Sequence, residues 1–220
     1  MRIISGNFRG KKILYPKDLK TRPLKDLTKE SIFNIIYHSN KFKLDLKNSN
    51  VLDLFSGIGS FGIECLSRGA KHVIFVENYL GVLPILEKNL LSLNTINNYK
   101  IIKKDINNKD FFLKLELKFD LIFLDPPYKD KNLTNILVNI HANKNLNKRG
   151  IIIIHRHKNE QDLIPENFRL IEEKKYGLSK IIFLAASKPI LLIDEISTTF
   201  LTELFQRNYF FIYVNENYFI

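Results

Sequence analysis

The chain has 220 residues, 45% of them hydrophobic and 26% charged, which suits one soluble globular domain with a small appendage. Its one cysteine, Cys65, excludes an intrachain disulfide, and its longest apolar runs, residues 151–154 and 181–186, fall far short of the ~20 residues of a membrane span, so a cytoplasmic protein is predicted. A net charge of +11, from 34 basic and 23 acidic residues, favours an anionic partner such as nucleic acid, or reflects a generally basic, AT-rich proteome.

The opening "MRIISGNFRGKK" lacks the apolar stretch of a secretory signal. Two β-prone runs flank Gly6 to Gly10 and predict a hairpin carrying Arg2, Arg9, Lys11 and Lys12. A polar loop through Thr21, Arg22 and Pro23 leads into a helix with Leu27, Ile32, Ile35 and Ile36 on one face. From about Asn50 strands and helices alternate. "VLDLFS" is a buried strand, "SFGIECLSRG" a helix stopping near Gly69, and "HVIFVE" a strand ending at Glu77. "LPILEKNLLSL" is a helix with Pro84 tolerated early, and "KIIKKD" a strand ending at Asp105. "FDLIFLDPPY" is a strand entering a proline loop, "NLTNILVNIHAN" a helix and "GIIIIHRH" a fifth strand. "FRLIEEKKYG" and "LSKIIFLAAS" form a closing hairpin. This alternation predicts a doubly wound, mostly parallel sheet. The tail, residues 188–220, reads as strand, helix and strand, an appendage of no assigned role.

Gly57, Gly59 and Gly62 form a GxGxxG loop between a strand and a helix, where backbone approaches a ligand closely. Glu77, 20 residues on, suits a ribose diol, but NAD and S-adenosylmethionine share that ribose. Asp53, just before the loop, would repel a pyrophosphate and favour the ammonium and sulfonium of S-adenosylmethionine; alternatively it caps the turn. Asp105 is placed to accept from an adenine amino group, or is a solvated loop acid.

Asp125-Pro126-Pro127-Tyr128 follows the fourth strand, at the carboxyl edge where open α/β sheets bind ligands. Two prolines fix the backbone and remove two N–H donors, leaving carbonyls that require a donor. An exocyclic amino group of a nucleobase is such a donor, with Asp125 and the Pro126 carbonyl accepting its two hydrogens. Tyr128 offers a face on which an extruded base stacks, worth roughly 1–3 kcal/mol. Cys65 reads as a small core residue. His155 and His157, around Arg156, lack the clustered partners of a metal site, and no metal is expected.

This constellation resembles the class I S-adenosylmethionine-dependent methyltransferases that act on amino groups. "MRIISGNFRGKKILYP", "TRPLKDLTKESIFNII", "VLDLFSGIGSFGIECLSRGA", "DPPY" and "YGLSKIIFL", in that order, make residues 1–187 similar to the RsmD family. The departures are mild: "FSGIGS" and "TRPLKD" differ from common family forms but keep every carboxylate and proline. The resemblance implies a Rossmann-like α/β fold with a mostly parallel seven-stranded sheet, helices on both faces, and an N-terminal basic β-hairpin. It implies methylation of the N2 amino group of a guanine in small-subunit ribosomal RNA. Adenine-N6 methylation, or non-catalytic RNA binding in assembly, are the alternatives; a nicotinamide oxidoreductase leaves Asp53 and the proline loop without a role. Asp53, Phe55, Ser56, Gly57 and Gly59 would line the methionine end of S-adenosylmethionine, with Glu77 on the ribose and Asp105 on the adenine. Asp125, Pro126, Pro127 and Tyr128 would form the catalytic loop. Arg2, Arg9, Lys11, Lys12 and Arg22 read either as a solvated basic face or, given the hairpin setting with Phe8 interleaved, as the better-favoured contacts to RNA phosphates. Residues 1–40 are then a docking hairpin and helix, 41–187 the methyltransferase domain and 188–220 the appendage. The implied partner is ribosomal RNA or a ribosomal subunit, not a membrane, and a monomer is expected.

Overall fold

The computed structural model describes residues 1–16, 24–94, 96–108, 110–127 and 130–187. Arg22 with its loop, Tyr128 and the tail 188–220 lie outside the described residues. Among the described residues the seven strands are β1 (Asn50–Leu54), β2 (His72–Val76), β3 (Tyr99–Ile102), β4 (Phe119–Leu124), β5 (Leu146–His157), β6 (Phe168–Tyr176) and β7 (Ser179–Ala186). The α-helices among the described residues are α1 (Asp26–His38), α2 (Ser60–Ser67), α3 (Leu83–Leu91) and α4 (Leu133–Ala142). The sheet order is β3-β2-β1-β4-β5-β7-β6. β1 to β5 run parallel, and β7 inserts antiparallel between β5 and β6. The order reverses between β1 and β4, the switch point at which such sheets bind ligands.

The apolar runs "VLDL", "LIFL" and "IIII" belong to central parallel strands, which are buried on both faces. Their alternation divides the sheet between two cores. Val51, Phe75, Leu121, Phe123, Ile151 and Ile153 pack with α1, α2 and α3. Leu52, Leu54, Ile122, Leu124, Ile152 and Ile154 pack with α4. Each fully buried Ile or Phe contributes roughly 1.5–3 kcal/mol. Phe33 of α1, Phe61 of α2 and Phe123 of β4 stack in series, with centroids 5.2 and 3.9 Å apart. α2 ends because Gly69 takes φ +90°, which lets Gly69 N–H donate to the Leu66 carbonyl and Ala70 N–H to that of Cys65. Cys65 is a buried residue of the α1–α3 core.

Three local expectations change. The α1 stripe is Thr28, Lys29, Ile32, Phe33 and Ile36, while Leu27 is 74% exposed. At 100° per residue Leu27 lies off that stripe. β3 ends at Ile102, so Asp105 stands three residues beyond it. The N-terminal runs pair through one antiparallel bridge, Arg2 to Lys12, with Ile3 N–H on the Lys11 carbonyl and Ile13 N–H on that of Met1. No regular strand forms there, because this segment bonds largely to the domain beneath it.

Residues Met1–Ser187 make one compact unit, and Ile3 and Ile13 belong to the same core as α1–α3. The attachment is polar as well. Ile4 and Ser5 N–H donate to the two oxygens of Glu64 at 2.8 and 2.9 Å. Lys29 and Glu64 are fully buried, 3.5 Å apart. The Lys29 ammonium also donates to the Arg2 carbonyl at 2.9 Å and to Ser60 Oγ at 3.4 Å. Burial lowers the Lys29 pKa, against the raising pull of Glu64 and Asp26.

Candidate active site

Registry builds the site. Val76, Leu54, Leu124 and Ile154 are paired across β2, β1, β4 and β5. The next residue on each strand is Glu77, Phe55, Asp125 and His155. Strands lie ~4.8 Å apart, so these four form a row along the carboxyl edge about 15 Å long.

Phe55 leaves β1 with φ 59°, a left-handed conformation costing a non-glycine residue roughly 1–3 kcal/mol. Such strain at a switch point marks a loop shaped for a ligand. Gly57 and Gly59 follow with φ 54° and 80°. Glu77 closes the loop: its Oε2 accepts from Gly57 N–H at 2.7 Å, and its Oε1 from Asn78 and Tyr79 N–H at 2.9 and 2.8 Å. Asp53 lies one row inward, fully buried, with Oδ2 accepting from Gly62 N–H at 2.9 Å. Burial pushes its carboxyl well above the usual carboxylate range; the Gly62 N–H opposes this, and Asp125 and Glu77 add to it. A Cβ on Gly62 would meet the Phe75 ring at 2.3 Å, so only glycine lets α2 come this close to β2.

The loop suits a polar nucleoside ligand. Ser56 Oγ is buried without a hydrogen-bond partner among the described residues, a cost of about 1–3 kcal/mol that a polar ligand group would offset. Glu77 retains lone pairs for hydroxyl donors beyond Gly57. Asp53 would hold a cation beneath the loop. The donors and acceptors present therefore fit S-adenosylmethionine. Asp105 is exposed and accepts from Asn107 N–H at 2.9 Å, at the β3 end of the same edge.

The proline loop is held from β5. Asp125 Oδ1 lies 2.8 Å from His155 Nδ1, and His155 Nε2 lies 2.9 Å from Ser179 Oγ on β7. Arg156, fully buried, donates to the Pro127 carbonyl at 3.2 Å and the Asp130 carbonyl at 3.0 Å. Asp162 fixes its guanidinium at 2.8 and 2.9 Å. The Pro127 carbonyl also accepts from Asp130 N–H at 2.8 Å. Pro126 is buried and Pro127 exposed. Sequence reasoning missed both β5 partners. The signal was there: in a doubly wound sheet, the residues after "LIFL" and after "IIII" end neighbouring strands.

Of the basic residues singled out at the N-terminus, Arg2, Arg9 and Lys12 are exposed. Lys11 is half-buried, donates to the Ser92 carbonyl and lies 5.9 Å over the Phe8 ring.

Known proteins share this architecture. YlbH of Bacillus subtilis is 34% identical over 185 residues, covering 82% of this chain and 96% of its own length. Ribosomal RNA small subunit methyltransferase D of Buchnera aphidicola is 34% identical over 174 residues, covering 78% of this chain and 86% of its own. The solved structure of YhhF from Escherichia coli superposes with a TM-score of 0.71 at 27% identity, covering 85% of this chain and 98% of that one. Residues 1–185 match the family described as Conserved hypothetical protein 95, and with the glycine loop, Glu77 and the proline loop in one registered row, the chain belongs to that family, the RsmD family.

Proposed function

We propose that this chain uses S-adenosylmethionine to methylate the N2 amino group of a guanine in small-subunit ribosomal RNA. The observation that carries the reading is the placement of Asp125, at the head of the proline loop, one strand from Phe55 and two from Glu77 along the carboxyl edge. A relative named ribosomal RNA small subunit methyltransferase D supports ribosomal RNA as substrate. Bound S-adenosylmethionine supplies an electrophilic methyl on a sulfonium. Glu77 would hold the ribose hydroxyls, Asp105 the adenine amino group, and Asp53, ionised against a cationic partner, the methionyl ammonium. Ser56 Oγ would gain its missing partner, and Phe55, Gly57 and Gly59 shape the loop around the same end.

Asp125 then accepts one hydrogen of the guanine amino group and the Pro126 carbonyl the other. That draws the nitrogen lone pair out of ring conjugation and directs it. Arg156 keeps the loop in place through the Pro127 and Asp130 carbonyls. Tyr128 supplies the stacking face in this reading. Exposed Arg2, Arg9 and Lys12, with Arg22, meet RNA phosphates, while Lys11 is engaged with Ser92. Positioning and electrostatics carry the catalysis. An rRNA substrate fits the cytoplasmic setting that the single cysteine predicts.

The test uses small ribosomal subunits from cells lacking their own enzyme of this kind. They are incubated with the protein and methyl-labelled S-adenosylmethionine, and the RNA is digested to nucleosides for mass analysis. Labelled N2-methylguanosine is expected. N6-methyladenosine would overturn the base assignment, and S-adenosylhomocysteine binding without any labelled nucleoside would overturn the substrate.

A further inference from the structure

We propose that His155 is a positioning residue that fixes which oxygen of Asp125 faces the substrate. The inference rests on the reading of Asp125 as acceptor for the amino group. A carboxylate only accepts, so at 2.8 Å the His155 Nδ1 is the donor to Oδ1. Nε2, 2.9 Å from Ser179 Oγ, accepts the serine hydroxyl in the neutral imidazole and donates to it in the imidazolium. Nδ1–H points at Asp125 in either state.

The imidazole itself is held in place. It is nine-tenths buried, while the Asp125 side chain is 19% exposed. His155 pairs with Ile181 across β5 and β7, and Ser179 pairs with His157, so Ser179 is its diagonal neighbour on the same face. Asp125 and His155 each follow the registered pair Leu124 and Ile154. A rigid sheet thus sets the imidazole, and the imidazole sets the carboxylate. Oδ1 is engaged, leaving Oδ2 for the amino hydrogen. Without the donor, rotation of the carboxyl group exchanges the two oxygens and blurs the acceptor position. The labour divides between neighbours on β5: Arg156 holds the loop's backbone, and His155 holds the loop's carboxylate.

Three variants test this with the full chain and small ribosomal subunits. His155→Leu removes the donor and fills the space. We expect kcat to fall on the order of 10²-fold with KM for the subunit and affinity for S-adenosylhomocysteine unchanged. The amide of His155→Asn falls near the Nδ1 position and restores kcat to within about tenfold of wild type. The longer His155→Gln puts its amide near Nε2, toward Ser179, and does not. A nitrogen-15 spectrum of the wild-type protein should show a proton on Nδ1 of His155. Wild-type turnover by His155→Leu, equal failure of all three variants, rescue by Gln as good as by Asn, or an unprotonated Nδ1 would each overturn the inference. A wild-type chain that methylates no nucleoside fails the functional reading, and the inference with it; an active wild type with an indifferent His155→Leu fails the inference alone.

Discussion

Gly62→Ala tests the closest packing in the site. The added Cβ would stand 2.3 Å from Phe75 Cε1 and 2.8 Å from its Cζ, where ordinary contact begins at 3.4 Å, so ring or helix must give by at least 1.1 Å. The Phe75 ring is fully buried and packed edge-on to Tyr99 at 6.4 Å. Overpacking of this kind costs roughly 1–3 kcal/mol. The same Cβ lies 2.9 Å from Asp53 Oδ2, so the bond from Gly62 N–H is disturbed as well, at about 1–3 kcal/mol for a buried polar group. Replacing glycine in a helix returns roughly 0.5–1 kcal/mol. The net expectation is a loss of about 3 kcal/mol, or roughly 6–12 °C in Tm for a chain of this size. Thermal unfolding of the variant measures it, with Gly177→Ala as reference. Gly177 has φ 59° and open space around it, so its substitution costs only backbone strain, about 1–2 kcal/mol. A Gly62→Ala protein that melts no lower than Gly177→Ala would refute the packing argument.

Glu64→Leu strands the buried Lys29 ammonium and two N–H donors and should cost about 3–5 kcal/mol in urea unfolding. Lys29→Met should cost clearly less, because Arg68 still pairs with Glu64 at 2.8 Å; equal losses would contradict the network as described. Asp53 gives a pH dependence. Its folded pKa is raised by burial, so above the ordinary value of ~4 the unfolded chain releases a proton that the folded chain keeps, and stability falls as pH rises through that window. Asp53→Asn removes this slope: its stability advantage in urea should grow between pH 5 and pH 8, and a constant difference would count against the buried acid.

Much of the fold was legible because its signals are local. Continuous apolar runs marked the central strands, Gly69 ended a helix and Pro84 began one. The glycine loop, Glu77 and the proline loop were legible because each sits where a strand ends. What stayed hidden depends on pairing between distant segments. Lys29 reads as a surface lysine until Glu64, 35 residues away, is known to lie beneath it. Arg156 and His155 read as the polar end of a strand until β5 is placed beside β4. Leu27 reads as a core position because periodicity fixes a helical face only to within a residue, and α1 turns Lys29 inward instead.

The N-terminal attachment carries a consequence for synthesis. Residues 4 to 14 are tied to Glu64, Ser67, Asn89 and Ser92. Lys11 and its acceptor Ser92 are 81 residues apart in the chain. At ~5–20 residues per second on the ribosome, about 4–16 s pass between the making of the one and of the other. During that interval the core that Ile3 and Ile13 enter is incomplete, because α3 and strands β4, β5 and β7 also build it. Residues 4 to 14 are therefore ordered only after segments made much later in the chain, and the nascent chain carries an uncovered apolar edge until α3 has been made.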